Sequence, residues 1–390
     1  MPLSISQADV QNIEGSIRQR QGEIVALIRS VVETESPSGD AAGSTAVVDV
    51  LANIAQGIRC IDSVERVTDS NMGEHLVIRA FQEASATGNI LLVGHTDTVH
   101  SRGSLAVNPF RIEDDRIYGP GIFDMKANCV LAMEALRALD LSRVKPSVGV
   151  TIALTCDEEV GSFSGWPLLE RLAREVPTGC AFVLEPSAAG CVKTARKGTG
   201  MFTMKVEGRA AHAGLDPGKG ASAILELTRQ IERLYELNNS GGITVNVGVI
   251  RGGTRSNVVA AEAAAEIDVR FSTKAESDKV LAALSNPRSF DERVRVAVTG
   301  GINRPPLERT PEVLSLFGQA REIATALGFE LGEAQVGGAS DGNFLAAMGI
   351  PVLDGLGVDG DGAHAAHEHI LASAIPRRGA LIAGLIATQR

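Results

Sequence analysis

The chain has 390 residues, 44% of them hydrophobic, and a formal net charge of −10. This length exceeds what a single hydrophobic core usually fills, so we expect two domains. The negative charge argues against nucleic-acid and membrane partners, because nucleic acids and anionic membranes attract basic surfaces. No apolar stretch reaches the roughly 20 residues of a membrane span, and the N-terminus has no signal-peptide pattern, so we expect a cytoplasmic protein.

Helical and strand patterns alternate through the first half of the chain. Apolar residues recur at helical spacing over residues 8–34, which predicts one amphipathic helix. Strand-like runs follow at 75–81, 90–93, 148–155 and 181–184, with helical patterns at 45–58 and 127–139. The alternation predicts an α/β fold with a mostly parallel sheet that is covered on both faces.

The pattern changes between residues 198 and 303. Its order is strand 201–207, helix 221–237, strands 243–250 and 260–271, helix 274–284 and strand 293–298. This is the split β-α-β order of ferredoxin-like α+β domains, which can close a core of their own. We therefore expect a smaller domain at 198–303, inserted into a larger one formed by 1–197 and 304–390.

Histidine and acidic residues gather at predicted strand ends and in glycine-flanked turns. Of seven histidines, three lie in G-A-H-A-A-H-E-H-I, and His95 opens H-T-D-T-V directly after the 90–93 run. Acidic residues occur at comparable positions: Asp97, Asp124, Glu158, Glu159 and Glu185. A single histidine is more often structural, and acidic pairs usually lie on solvated surfaces. Because these residues end apolar runs, where open α/β sheets carry their sites, they indicate a metal site with imidazole and carboxylate ligands.

Four motifs occur in a specific order, namely H-T-D-T-V, D-E-E-V-G-S, G-G-A-S-D and S-A-I-P-R-R. With them the chain resembles, over nearly its whole length, the di-zinc metallopeptidases that include carboxypeptidase G, acetylornithine and succinyl-diaminopimelate deacylases, and aminoacylases. Within that family it is most similar to the glutamate carboxypeptidases of the carboxypeptidase G kind. The resemblance implies a zinc exopeptidase-like catalytic domain at 1–197 and 304–390, and a lid and dimerisation role for 198–303. It also implies two Zn²⁺ per subunit, although Co²⁺ or Mn²⁺ could occupy the same ligands.

The resemblance implies a role for each metal ligand. Asp124 would bridge both ions, with His95 and Glu185 completing one site and Glu159 and His364 the other. Asp97 would orient the His95 ring. His364 is chosen because the last ligand of the family precedes a glutamate by four residues, as His364 precedes Glu368; His367 is the alternative. His369, His75 and His100 are interpreted as structural.

Two further residues are expected to take part in catalysis. Glu158 lies beside a ligand without being one, and would take a proton from the attacking water and pass it to the leaving nitrogen. In the family, the histidine that matches His212 reaches the active site of the neighbouring subunit and stabilises the oxyanion. The resemblance therefore implies a homodimer. Glu158 could alternatively be a solvated acid, and without the resemblance His212 would be interpreted as an ordinary loop histidine.

Substrate contacts are expected from five positions. Asn257 and Arg270 match the family's binders of the substrate carboxylate, although Arg270 could instead form a cross-strand ion pair. Lys193 and Arg304 match positions near the glutamate side chain, and could equally be surface cations. Gly338 lies in G-G-A-S-D, which resembles a substrate-contacting loop but could be a plain turn.

Together these features predict a di-zinc hydrolase that releases a C-terminal amino acid, preferably glutamate, from peptides or N-acyl conjugates such as folates. An N-acyl-amino-acid deacetylase, similar to acetylornithine deacetylase or aminoacylase, would keep the chemistry and change the pocket. A non-catalytic sensor or scaffold for amino-acid conjugates is a third interpretation. Glu158 argues against the sensor, because a sensor needs no free carboxylate beside the metal ligands.

Overall fold

A computed structural model describes residues 5–390, except for the side chains of residues 85–87 and 240. The chain divides into two compact units, each with its own hydrophobic core. The large unit contains the chain up to Thr194, together with Arg309–Gln335 and Ser340–Arg390. The small unit contains Ala195–Glu308 and Val336–Ala339. Within residues 5–390, every helix is too short or too polar to span a membrane.

Most helices of the chain belong to the large unit. They are α1 (Gln7–Gln19), α2 (Gln21–Val32), α3 (Ala41–Gln56), α4 (Ser104–Val107), α5 (Ala127–Leu141), α6 (Gly165–Glu175), α9 (Pro311–Ala326), α10 (Gly342–Ala347) and α11 (Ala374–Thr388). The small unit contains α7 (Ala223–Tyr235) and α8 (Lys274–Ser285).

The single helix expected over residues 8–34 is two helices, α1 and α2. Arg20 between them leaves the helical conformation, with φ −94° and ψ 4°. Its guanidinium lies 3.2 Å from the carboxylate of Glu134, which is 1% exposed. A break at this point keeps the apolar side of both helices on the core while Arg20 neutralises a buried acid. Helical spacing of apolar residues cannot reveal such a break, because it persists on both sides.

The central sheet of the large unit has six strands in the order β1-β2-β6-β3-β7-β14. The strands are β1 (Ile61–Asp69), β2 (Gly73–Ala80), β3 (Asn89–His95), β6 (Gly149–Thr155), β7 (Thr178–Val183) and β14 (Val352–Leu353). Three pairings, β6 with β3, β3 with β7 and β7 with β14, are parallel, and the pairings of β1 with β2 and β2 with β6 are antiparallel. Every residue of β3 and β6 is buried, so both faces are covered at the centre. The predicted mostly parallel, doubly covered sheet is confirmed.

Two small sheets lie outside the six-stranded sheet and the four-stranded sheet of the small unit. One has the order β15-β16-β5-β4, from Gly360–Asp361, His369–Leu371, Arg116–Tyr118 and Arg111–Glu113; the other pairs β8 (Val192–Arg196) with β13 (Glu333–Val336).

The small unit is a four-stranded antiparallel sheet with two helices. Its strands are β9 (Gly198–Glu207), β10 (Thr244–Gly252), β11 (Glu262–Phe271) and β12 (Arg295–Arg304), in the order β10-β11-β9-β12. The order is ferredoxin-like, as expected from the sequence. Strand β12 runs further than the expected 293–298, and Arg304 is its last residue.

Candidate functional site

His95 ends the buried strand β3, and its side chain is 1% exposed. Its Nδ1 lies 3.0 Å from the backbone oxygen of Asp97, and because a carbonyl oxygen only accepts, Nδ1 carries a proton. The other nitrogen, Nε2, lies 3.1 Å from Oδ1 of Asp124 and 3.5 Å from Oε1 of Glu185. A neutral ring in this tautomer presents the lone pair of Nε2 to the two carboxylates.

Two groups of potential metal ligands share Asp124. In each of the groups His95–Asp124–Glu185 and Asp124–Glu159–His364, the ligand atoms lie within 4.8 Å of one another. Oδ1 of Asp124 is the oxygen nearer His95, and Oδ2 lies 3.5 Å from Nε2 of His364. The same Nε2 lies 3.2 Å from Oε1 of Glu159. The structure therefore brings all five predicted ligands together, and the two oxygens of Asp124 face different groups.

The residues present fit a pair of divalent cations. Oε1 of Glu159 is buried, and its contact with Nε2 of His364 at 3.2 Å lacks hydrogen-bond geometry, so this oxygen keeps acceptor capacity within the cluster. Two imidazoles and three carboxylates form a mixed nitrogen and oxygen donor set of the kind that zinc accepts. Tight clustering of three carboxylates is costly without positive charge nearby.

The pKa shifts of the clustered side chains also fit bound cations. Burial, with the charge of Asp124 adding to it, raises the pKa of Glu159 to about 7. The hydrogen bond to Asp124 raises the pKa of His364 to about 9. Burial opposes the charged form of His95, but its contacts with Asp124, Asp97 and Glu185 outweigh burial and raise its pKa well above the ordinary value. The cluster thus attracts positive charge at both imidazoles, which is the demand that bound cations would meet.

Asp97 does more than face the His95 ring. Its Oδ1 accepts a hydrogen bond of 3.1 Å from the backbone N–H of Glu158, and its Oδ2 accepts one of 3.2 Å from the N–H of Glu159. The hydroxyl of Ser38 donates to Oδ2 at 2.7 Å. Asp97 therefore links the end of β3 to the turn Glu158–Val160. Ser38 is not among the predicted site residues, because a single serine in a polar segment carries no signal of its own.

Glu158 lies in that turn and is 9% exposed. It belongs to neither group of ligand atoms among residues 5–390. Gly161, which ends the turn with φ +112°, adopts a conformation that favours glycine. Glu158 therefore directly precedes Glu159 of the cluster, in a turn whose backbone is held by Asp97.

The other histidines of the C-terminal motif lie elsewhere. His367 is exposed, whereas His369 is 9% exposed and packs on Tyr118 with ring centroids 5.2 Å apart. Neither joins a group of ligand atoms in the described chain. His364, with φ +65°, is the member of the motif that reaches the cluster.

His212 lies in the small unit and is exposed. Its Nδ1 accepts hydrogen bonds from the backbone N–H groups of Gly214 at 3.2 Å and Leu215 at 3.1 Å. In the neutral ring the proton must then be on Nε2, which makes that atom a hydrogen-bond donor. Asn257 is nearby in the chain fold, since its backbone oxygen accepts from the N–H of Ala213 at 3.0 Å.

Arg270 is already engaged with a carboxylate. Its Nε and Nη2 donate to the two oxygens of Asp268 at 2.8 and 3.0 Å. This ion pair lies within β11 and not across strands, since the two residues are two positions apart on one face. The side chains are 36% and 38% exposed.

Lys193 and Arg304 are buried, at 8% and 6% exposure, so neither is a surface cation. Lys193 lies in β8, where its backbone exchanges two hydrogen bonds with that of Asp354. Gly338 is exposed in the small unit, and its carbonyl accepts from Arg196 at 3.3 Å. Arg196 itself is 4% exposed and was not singled out in the sequence, where it resembles any other cation of a strand.

Comparison with known proteins gives a consistent result. The model of peptidase family M20/M25/M40 matches residues 91–388. Carboxypeptidase G2 of Pseudomonas sp. (strain RS-16) is 30% identical over 94% of this chain and 89% of that protein. Acetylornithine deacetylase of Erwinia tasmaniensis is 31% identical over 48% of this chain and 52% of that protein.

Solved structures share the fold at lower identity. The aminopeptidase PepT from Bacillus cereus has a TM-score of 0.77 at 22% identity, covering 94% of this chain and 98% of that one. The YxeP protein of Bacillus subtilis, a dinuclear metal binding peptidase of the M20 family, has a TM-score of 0.68 at 14% identity, covering 95% and 98%.

Proposed function

This chain belongs to peptidase family M20/M25/M40 and is a hydrolase, and from that membership we propose a di-zinc enzyme that releases a C-terminal amino acid, preferably glutamate. Its substrates would be peptides or N-acyl conjugates such as folates. The observation that carries the proposal is the pair of ligand groups that share Asp124. A two-metal hydrolase of amide bonds needs such a cluster, and a purely structural site does not need a carboxylate common to two groups.

His95, Asp124 and Glu185 would hold one zinc ion, and Asp124, Glu159 and His364 the other. When bound, two such cations polarise a scissile carbonyl and lower the pKa of a water. Glu158 takes a proton from the attacking water and delivers it to the departing amide nitrogen, so one carboxylate serves as base and then as acid. Asp97 supports this role, because it holds the backbone of Glu158 and Glu159 and the ring of His95.

His212 stabilises the oxyanion of the tetrahedral intermediate, acting from a second subunit. The acceptor role of its Nδ1 supports this, since it leaves Nε2–H to donate to a developing negative charge. The homodimer is supported by apolar side chains that the small unit leaves exposed, among them Leu225 at 52% and Ile250 at 60%.

Arg270 and Asn257 bind the α-carboxylate of the released amino acid, and Gly338 contacts the substrate. Lys193 and Arg304 bind the second carboxylate of glutamate. The burial of both cations, at 8% and 6% exposure, supports anion recognition in a chain of net charge −10, because charges interact more strongly away from bulk water than at the surface. The glutamate preference depends on these two residues and on the motif resemblance.

The test is release of free amino acid from a matched panel of N-acyl and dipeptide substrates ending in glutamate, a neutral residue or a basic residue. Each substrate is given to zinc-loaded and to chelator-treated enzyme. We expect metal-dependent turnover that favours glutamate. The Glu158→Gln variant should bind the same amount of zinc and lose roughly 10²- to 10⁴-fold in kcat, because the ligands are intact and the proton acceptor is gone.

Other results would change the proposal in defined ways. Preference for neutral or basic N-acyl amino acids would support the deacetylase alternative, which the similarity to acetylornithine deacetylase over 48% of this chain also favours. Binding of conjugates without turnover by zinc-loaded protein would support the sensor. Full turnover after removal of all divalent cations would refute the metal-dependent mechanism.

A further inference from the structure

The carboxylate of Glu368 is buried at 2% exposure and accepts hydrogen bonds from three backbone N–H groups. Its Oε1 accepts from Phe123 at 2.8 Å and from Asp124 at 2.9 Å. Its Oε2 accepts from Gly121 at 2.8 Å and lies 2.6 Å from Nε2 of His100. In the sequence this glutamate served only to mark the register of His364.

The segment that Glu368 holds is irregular. Asp124, with φ −116° and ψ 89°, and Met125, with φ −140° and ψ 34°, depart from helical geometry. Their segment therefore lacks the regular backbone hydrogen bonds that fix a helix, and buried N–H groups need another acceptor. One carboxylate supplies that acceptor for three of them.

The same segment is also confined by packing. Gly121 has φ +69°, and a Cβ at this position would come within 2.4 Å of Cγ2 of Thr98. Thr98 follows Asp97 in H-T-D-T-V, so the segment lies against the end of β3. The position of Asp124 is thereby set from two sides, by packing on one and by Glu368 on the other.

We propose that Glu368, supported by His100, is a positioning residue that sets where the Asp124 carboxylate lies relative to His364, and through it the affinity of the metal pair. This inference rests on the proposed function, in which Asp124 is a shared ligand. Glu368 is four residues after His364 and hydrogen-bonds the N–H of Asp124, so it couples the segments that bear two ligands of one site. Outer partners of this kind typically change metal affinity by about 10- to 100-fold.

The experiment measures zinc affinity by competition with a chromophoric chelator for the wild type, Glu368→Gln and His100→Ala, together with the melting temperature of each metal-free protein. Glu368→Gln replaces one acceptor oxygen by an amide donor that faces N–H groups, and we expect its affinity to fall by about 10- to 100-fold. His100→Ala should lose less, because the three backbone donors remain. If Glu368→Gln does not fold, the zinc affinity of His100→Ala alone tests the inference.

Glu226→Gln is the matched control. Glu226 is likewise 2% exposed, and its carboxylate accepts from the backbone N–H groups of Phe290 and Asp291 in the small unit. This variant should lower the melting temperature and leave zinc affinity unchanged, since it disturbs a comparable buried carboxylate outside the cluster.

The possible results distinguish a failure of the proposed function from a failure of the role proposed for Glu368. If the wild type binds no divalent cation, the proposed function fails and takes this inference with it. If the wild type binds zinc and both variants bind it equally well, with only the melting temperature lowered as in the control, Glu368 is a structural residue and the inference is wrong.

Discussion

At the scale of single residues, Arg270 presents a conflict between two carboxylates. The proposed function assigns its guanidinium to the substrate, yet Asp268 accepts hydrogen bonds from its Nε and Nη2 in the structure. Both side chains are more than a third exposed, so solvent screens the pair and its net contribution is about 1 kcal/mol or less. In the proposed function, a substrate carboxylate would therefore displace Asp268, which would act as an internal competitor for Arg270.

Asp268→Asn should lower KM for an N-acyl glutamate by about two- to fivefold with kcat unchanged, because removing a competitor worth ~0.5–1 kcal/mol favours the substrate. Steady-state kinetics at low ionic strength measure this. Glu266→Gln is the control, since it makes the same charge change two residues away, where the partner is Arg251 at 3.7 Å. A raised KM in Asp268→Asn would mean that Asp268 orients Arg270 instead of competing for it.

At the scale of elements, the carboxylate of Glu333 links strand β13 to strand β8 and to the start of helix α9. The carboxylate of Glu333 in β13 accepts a hydrogen bond of 2.7 Å from the hydroxyl of Thr194 in β8. It also accepts hydrogen bonds of 2.9 and 2.6 Å from Nε and Nη2 of Arg309, which lies just before α9. The hydrogen bond from Arg309 lowers the pKa of Glu333 from 4.5 to about 2. A depressed pKa means that the folded state favours the charged carboxylate.

The stability that Glu333 provides should therefore depend on pH. It is fully present above the unfolded pKa of about 4.5 and is lost as the pH falls toward about 2. Glu333→Gln should destabilise the metal-free protein by about 1 kcal/mol at pH 6, with the difference from wild type shrinking below pH 4.5. Urea denaturation across this range tests it, with exposed Glu330→Gln as the charge-matched control. A difference that stays constant down to pH 3 would contradict the assignment.

At the scale of the whole molecule, His212 raises the question of which subunit completes the site. It is exposed on the small unit with Nε2–H free of the backbone contacts that occupy Nδ1. The proposed homodimer makes each site depend on Glu158 of one subunit and His212 of the other. Two inactive variants can then restore an intact site in a mixed dimer, which is impossible if each subunit carries a complete site of its own.

Mixing Glu158→Gln and His212→Ala subunits, each nearly inactive alone, should restore activity to about a quarter of the sites after random exchange, because half of the dimers contain one intact site. Differently tagged subunits allow the mixed dimers to be purified and assayed. Mixing Glu158→Gln with the double variant lacking both residues should restore nothing. Inactive mixed dimers would show that His212 does not act across subunits, and a monomeric enzyme in sedimentation would refute the dimer.

Many elements of this protein could be predicted because their signals are local. Apolar runs such as 90–93 identify buried strands, and a polar residue that directly follows one, such as His95, lies at the strand end. The break at Arg20 escaped prediction because helical periodicity continues on both sides of it. Strand β1 also escaped, because an edge strand is half exposed and carries charged residues that mask alternation.

The sequence alone determined which residue types are available and at which end of which strand they lie, so the metal-ligand candidates and the fold class followed from its motifs and periodicity. Only the tertiary structure decided several of their partners: the carboxylate of Glu368 accepts from the N–H of Asp124, that of Asp97 from the N–H of Glu158, and that of Asp268 from Arg270. The physical reason is that hydrogen bonding and charge pairing depend on distances of a few ångströms through space. Periodicity encodes which face of an element is buried, and it does not encode which side chain of a distant segment will lie against it.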